Sequence, residues 1–393
     1  MSQLRVLHVY KTYYPDTQGG LEETIRQICL GTQRCGVVSK VFALSNNPAP
    51  HDIERDEASV TQARNQIEIA SCPMSFPAFK QFKQLVGWAD IIHYHFPWPF
   101  ADMLHLAIRP KKPTLVTYHS DVVRQKWLNI VYSPLQNWFL NSVTKIICTS
   151  PNYFATSDVL TKVGDKVDII PIGLDENSYH LDVPGVGIEE PDGNASGFFL
   201  FVGVLRYYKG LHILLDAMKD APFRVVIVGS GPTERELKEQ AAKLELTNVT
   251  FTGFVSDEVK NSLIRRSLAI VFPSYLRSEA FGVTLLEGAL HGKPLISTEV
   301  GSGTSHVNVH GETGLVVPPG SPKALRKAMD KLYRSPQAAK EMGRNARLRY
   351  QKLFTGRLMG ERYHATYEQL VGRGTVVKIE RGEQRRRQKG SQA

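Results

Sequence analysis

Cysteine is scarce in this chain. The 393 residues hold four, Cys29, Cys35, Cys72 and Cys148, and no two form a Cys-x-x-Cys pair. That spacing argues against a disulfide framework and fits buried free thiols in a reducing compartment. Long apolar runs are also missing, and none approaches the roughly 20 residues that a spanning helix needs. The apolar start, Leu4 to Tyr10, is too short for a signal-peptide core, and a loop with Pro15 follows it. A cytoplasmic protein is the expectation. Metal-ligand spacing is absent as well. His93 and His95 lie two apart on one expected strand face, but no third ligand of fitting spacing accompanies them, and no metal is expected.

What is present is ordinary for a soluble globular protein: 42% apolar and 22% charged residues. The length fits two domains of roughly 150–200 residues each. The formal charge is +10, part of it gathered in a tail with Arg373, Lys378, Arg381, Arg385, Arg386, Arg387 and Lys389. Residues 371–393 read as disordered. Three readings of the charge stay open: a solvated run, attraction to an anionic membrane face, and nucleic-acid binding. The last lacks any accompanying recognition module, and no nucleic-acid partner is expected.

Along the chain, strand and helix patterns alternate twice over. Strand Arg5–Tyr10 leads through a loop ending in Gly19-Gly20 to a helix with Leu21, Ile25, Ile28 and Cys29 on one face. The two glycines serve either a tight turn or close approach of backbone to a ligand. Strand Lys40–Leu44 follows, and residues 46–66 read as irregular surface. Phe76, Phe79 and Phe82, with Lys80 and Lys83 between them, mark a core helix face or a membrane-surface contact. The strand at Ala89–Phe96 carries His93 and His95 near its end, and the strand at Thr114–His119 ends in His119. A helix over Val122–Val143 contains Pro134, which is expected to kink or split it. Residues 181–197, rich in Gly and Pro, form the expected linker between domain 1–180 and domain 198–370. The final helix of the second domain is one that could return to the first.

In the second half, Tyr275–Gly303 is the organising stretch. Leu268–Pro273 reads as a buried parallel strand. Glu279 lies in the loop after it, Phe281-Gly282 opens a helix, and Glu287 stands about one turn in. A helix start at the carboxyl end of such a strand favours a phosphate-bearing ligand. Arg206 and Lys209, at the end of strand Phe198–Gly203, add a planar fork and a mobile cation for phosphate oxygens.

Glu279 and Glu287 with seven residues between them, Phe281-Gly282, Lys209-Gly210 and the Pro318-Pro319 turn together resemble the retaining nucleotide-sugar glycosyltransferases of family 4. The resemblance implies an α/β GT-B fold, two doubly wound Rossmann-like domains facing across a cleft that closes on its substrates. It implies a nucleoside-diphosphate sugar bound by the second domain and an acceptor bound by the first. By position, Glu287 would hold the donor ribose, Glu279 the hydroxyls of the moving sugar, and Lys209 with Arg206 the diphosphate. Amides at Gly282, Val283 and Thr284 would assist, and Phe254-Val255 would meet the base. Gly19 and Gly20 would bring the first loop to the phosphates, with Glu22 near the acceptor and His119 beside the reacting sugar. Glu279, His119 and Lys209 form the expected catalytic set. Val204 stands where many relatives carry the arginine, and Arg206 comes two residues later.

The expected reaction moves a hexosyl group, of mannose or rhamnose type, from a GDP-linked donor with retention of configuration. The acceptor is a hydroxyl of a glycan or lipid-linked acceptor in O-antigen or exopolysaccharide assembly at the inner face of a bacterial membrane. No aspartate-rich metal motif is evident, in keeping with the family's use of protein charge instead of a divalent ion. A sugar-nucleotide epimerase or a phosphorylase would share the fold. A non-catalytic sugar-nucleotide-binding partner would have lost Glu279, Lys209 or Glu287, and all three are present.

Overall fold

The computed structural model describes residues 3–122, 126–179 and 197–373, with the side chains of 126–129 excepted. The expected linker, apart from Gly197, and the tail beyond Arg373 lie outside the described residues. The chain forms two compact units, Met1–Ile172 with Gly356–Ala393, and Gly173–Thr355.

The first unit is built on β1 (Leu4–Val9), β2 (Val37–Ser45), β3 (Ile53–Glu54), β4 (Ser59–Arg64), a small hairpin of β5 (Ile67–Ile69) and β6 (Cys72–Met74), β7 (Ile91–Phe96), β8 (Thr114–Tyr118), β9 (Lys145–Cys148) and β10 (Val167–Ile169). Its main sheet runs β10-β9-β8-β7-β1-β2-β4-β3, all parallel except β3. Strand order reverses at β1, which pairs with β7 on one side and β2 on the other, and such a switch point opens a crevice at the carboxyl ends. Residues 46–66 are not irregular surface: β4 extends the sheet beside β2 and buries Val60, Gln62 and Ala63.

Helices α1 (Gly20–Gln33), α2 (Pro77–Trp88), α3 (Pro99–Ile108), α4 (Lys126–Ser142), α5 (Pro151–Thr156) and α6 (Asp158–Lys162) connect these strands. Helix α4 is continuous through Pro134 and not split by it. The phenylalanine stripe divides: Phe82 is fully buried against Phe42 and Tyr94, whereas Phe76 is 73% exposed.

In the second unit, β11 (Phe199–Val202), β12 (Val225–Val228), β13 (Val249–Gly253), β14 (Ala269–Phe272), β15 (Leu295–Thr298) and β16 (Gly314–Val317) form one parallel sheet. The order β13-β12-β11-β14-β15-β16 is that of a dinucleotide-type doubly wound fold, reversing between β11 and β14. The strands inside the sheet, such as β11, β12 and β14, are short and apolar, as strands covered on both faces must be, whereas edge strand β13 is only partly buried. The crossovers are α7 (Leu211–Met218), α8 (Glu234–Lys243), α9 (Asp257–Arg266), α10 (Val283–Leu290), α11 (Thr304–Val307), α12 (Pro322–Arg334) and α13 (Pro336–Leu353). The Ser256 hydroxyl caps α9 by accepting from the Val259 amide.

The last helix, α14 (Gly356–Leu370), belongs to the first unit. It crosses α1 at Gly31, where a Cβ would stand 2.7 Å from the Gly356 carbonyl oxygen and 2.9 Å from the Gly360 Cα. Only glycine admits backbones that close. The crossing seals a core of Leu4, Val6, Ile28, Ile91, Leu115 and Ile147 beneath Met359, Tyr363 and Tyr367.

Candidate active site

The second unit brings together residues 70 positions apart at its switch point. The chain leaves β11, makes a tight 3-10 turn at Tyr207–Lys209, and enters α7 through Gly210 with φ 71°. A Cβ on Gly210 would lie 2.1 Å from the Pro273 carbonyl oxygen, so the loops after β11 and β14 run against each other. The Tyr275 amide donates to the Tyr208 carbonyl at 3.0 Å and locks them. Lys209 Nζ thereby reaches Glu279 Oε2 at 2.5 Å, and Ser274 Oγ donates to the same oxygen at 3.3 Å. The ammonium also lies 4.7 Å from the centroid of the Phe272 ring. Glu279 is 8% exposed. Tyr208 packs alongside, and burial pushes its hydroxyl pKa up.

Gly282, with φ 88°, is the residue that caps the start of helix α10. Thr284 Oγ1 donates back to the Val202 carbonyl at 3.1 Å, which ties the helix start to the end of β11. Phe281 turns inward against Phe354 and contributes backbone alone at this point, while Val283 is the first residue of the helix. Glu287 is 5% exposed and is not free: Lys260 of α9 pairs with it at 3.0 Å and with Asp257 at 2.8 Å. Burial pulls the Lys260 pKa down, but the two carboxylates outweigh it and hold the ammonium above its ordinary value. Lys260 is a site residue that the sequence reading missed. Its signal was faint, a lysine three positions after Asp257 on a helix entered from the Phe254-Val255 turn. Phe254 itself is 73% exposed.

Arg206, close enough to act electrostatically on Tyr208, is exposed, forms no ion pair with Glu279, and lines a cavity of about 180 Å³ between α7 and α8 with Tyr207, His212, Thr233, Glu236 and Gln240. Val204, two residues earlier, is 38% exposed.

In the first unit, Gly19 and Gly20 form the entry to α1. Glu22 Oε1 accepts hydroxyl hydrogen bonds from Thr12 and Thr17, both at 2.9 Å, so it ties the preceding loop to the helix. His119 follows β8, and its amide donates to the Phe96 carbonyl at 3.0 Å. Asp121, two residues on, accepts from the Tyr118 and Ser157 hydroxyls.

His93 and His95 do meet a third ring. Register pairs His8 of β1 with His93 of β7, and His8, His93 and His95 place one ring nitrogen each within 4.8 Å of one another. The sequence reading found no third ligand of fitting spacing, and the fold supplies one from a distant strand. Sequence spacing hid it, because His8 and His93 lie 85 positions apart. Burial drives the His8 and His119 imidazoles down to about 3, and holds those of His93 and His95 far below their ordinary value.

Two doubly wound units of this order are the architecture of a GT-B fold, and sequence comparison identifies the class as glycosyltransferase. Residues 18–178 match the profile of Glycosyltransferase Family 4, and residues 190–349 that of Glycosyl transferases group 1. The chain belongs to this family of GT-B glycosyltransferases and is a hexosyltransferase. It is 51% identical to the D-rhamnosyltransferase WbpZ of Pseudomonas aeruginosa, covering 90% of this chain and 92% of the relative. It is 47% identical to the O-antigen chain mannosyltransferase C of Escherichia coli, covering 94% and 99%. Among solved structures, a sucrose-phosphate synthase from Thermosynechococcus elongatus shares the fold with a TM-score of 0.76 at 22% identity, covering 94% of this chain and all of that one. Anabaena HepE in complex with UDP-glucose does so with a TM-score of 0.72 at 18% identity, covering 93% and 100%.

Proposed function

We propose that the protein transfers a mannosyl or D-rhamnosyl group from a GDP-linked sugar to a hydroxyl of a lipid-linked O-antigen glycan, with retention of configuration. The part-buried Lys209–Glu279 pair at the switch point of the second unit carries this reading. The two relatives at about half identity, a rhamnosyltransferase and an O-antigen mannosyltransferase, support the choice of sugar and acceptor.

The pair accounts for how the chain handles charge. With no ligand bound, Lys209 and Glu279 neutralise each other. A diphosphate offers Lys209 more negative charge than one carboxylate, so the ammonium turns to the phosphate oxygens. Glu279, released, accepts hydroxyl hydrogen bonds from the sugar. As the glycosidic bond breaks, negative charge grows on the departing diphosphate, and Lys209 with the first amides of α10 stabilises it. Those groups can do this without a divalent ion. Glu287 is held by Lys260 in one orientation, ready to accept the ribose hydroxyls. Glu279 serves as a positioning carboxylate. The leaving phosphate takes the acceptor's proton in a front-face displacement.

Exposed Phe76, Ile130 and Val131 of the first unit, with the basic excess of the chain, suit a peripheral position on an anionic membrane face. No helix among the described residues is long and apolar enough to cross a membrane.

The test is acceptor-dependent release of nucleoside diphosphate from GDP-, UDP- and dTDP-sugars in the presence of chelator. Release from a GDP-sugar with a lipid-linked glycan is the expected result. Turnover of none of the three, or turnover only with an added divalent ion, would sink the proposal as stated.

A further inference from the structure

Three buried imidazoles of the first unit form a hydrogen-bonded chain. His8 Nδ1 meets His95 Nε2 at 3.0 Å, and His95 Nδ1 meets His119 Nε2 at 3.1 Å. His8 Nε2, at one end of the chain of rings, is buried and has no hydrogen-bond partner among the described residues. His93 stands beside this chain and not in it. Its Nδ1 meets the Tyr367 hydroxyl at 2.8 Å and its Nε2 the Thr117 hydroxyl at 2.7 Å, while its ring stacks on His95 with centroids 4.4 Å apart.

A neutral imidazole has one N–H and one lone pair, so a chain of three runs in one of two directions. In the first, His8 Nε2 would carry a buried hydrogen with no acceptor, an arrangement native structures rarely keep. In the second, His8 Nε2 is a bare lone pair. His8 Nδ1–H donates to His95, His95 Nδ1–H donates to His119 Nε2, and the hydrogen of His119 is left on Nδ1. Full burial keeps all three rings neutral.

We propose that His8 and His95 are positioning residues that fix His119 as its Nδ1–H tautomer, so that it offers the sugar a neutral N–H donor. This rests on the reading of His119 as the sugar-facing group of a glycosyltransferase. Free neutral imidazole in water favours the other tautomer, so the choice is one the protein has to impose. A metal centre at His8, His93 and His95 fits less well. The rings of His93 and His95 are stacked at 28°, which points their nitrogen lone pairs along near-parallel planes, and both nitrogens of His93 already face hydroxyls.

Long-range 1H–15N correlation spectra of the full-length, 15N-histidine-labelled protein read each tautomer directly, with rings assigned from single substitutions. His119 protonated on Nδ1 is the expected result. His8→Phe removes the first donor, and should release His119 to Nε2–H and lower kcat about tenfold with the KM for donor sugar unchanged. His8→Asn keeps an amide N–H where Nδ1–H stood, and should restore both the tautomer and most of kcat. Nε2–H on His119 in the unaltered protein would overturn the proposal. So would an unchanged tautomer in His8→Phe, or His8→Asn behaving no better than His8→Phe. One tightly held metal ion per chain, lost in His8→Phe, would also overturn it. The spectra need no substrate, so a failure of the proposed function appears separately, as absent turnover with a settled tautomer.

Discussion

The two units present opposite chemistries at the carboxyl ends of their sheets. The second holds ions in pairs, Lys209 with Glu279 and Lys260 with Glu287. The first holds neutral rings and hydroxyls, His8, His93, His95, His119, Thr117 and two tyrosines. Breaking a buried pair by removing one partner is costly, but exchanging one partner for a ligand of like charge is not. The paired ions therefore suit a ligand that brings its own charge, and the neutral rings suit one that brings hydroxyls.

The largest expected effect tests the charged side. Lys209→Ala strands Glu279 as a buried carboxylate and removes a cation from the leaving diphosphate. Turnover should fall about 10²–10³-fold, measured as initial rates at saturating donor. Glu287→Ala comes next: nucleotide affinity by calorimetric titration should drop about tenfold or more, while Glu279→Ala chiefly lowers kcat. Full activity in both would refute the division of labour between the carboxylates.

The neutral side answers to pH. In the folded protein the His8 and His119 rings stay neutral down to about pH 3, whereas in the unfolded chain they take a proton near the ordinary value of 6.5. Between those values the unfolded state binds more protons, so stability from this cluster is complete above 6.5 and is lost as pH falls toward 3. Scanning calorimetry from pH 7 to 4 should show the transition of the first unit moving down more steeply than that of the second. Among the described residues, the second unit has His291 shifted in the same direction, to about 4. Replacing His8 with Phe should flatten the slope.

A smaller effect is expected from Gly360→Val at the α1–α14 crossing. Overpacking should destabilise the first unit by about 1–3 kcal/mol, read by urea unfolding, and leave nucleotide binding by the second unchanged. The smallest belongs to Arg206→Ala. An exposed side chain with no ion pair among the described residues should change turnover by no more than about twofold.

Most of the parallel architecture was legible, because buried parallel strands such as Phe198–Val202 and Leu268–Phe272 are continuous apolar runs between glycine-bearing turns. Strand β4 was not. Ser59-Val-Thr-Gln-Ala-Arg64 is polar enough to read as surface, and only its pairing with β2 shows that Val60 and Ala63 are core. At the site, Glu279, Glu287 and Lys209 were found because one short motif and one strand end carry them. Lys260 and His8 were not, since each is defined by a partner distant in sequence. Glu22 shows a different limit. The family resemblance placed it near the acceptor, and the structure adds its tie to Thr12 and Thr17, which spacing cannot reveal.

Helix α14 gives the first unit an unusual schedule. During synthesis its strands leave the ribosome first, yet the helix that covers Ile28, Ile91 and Leu115 and supplies the Tyr367 hydroxyl to His93 comes only after all of Gly173–Thr355. Until then the part of the sheet and of α1 that it covers lies open. The second unit, contiguous in sequence, has every strand and crossover in hand before Gly356 is made. The half of the molecule that begins first is thus finished last, and a chain cut short before Gly356 would leave an apolar face exposed to chaperones and proteases.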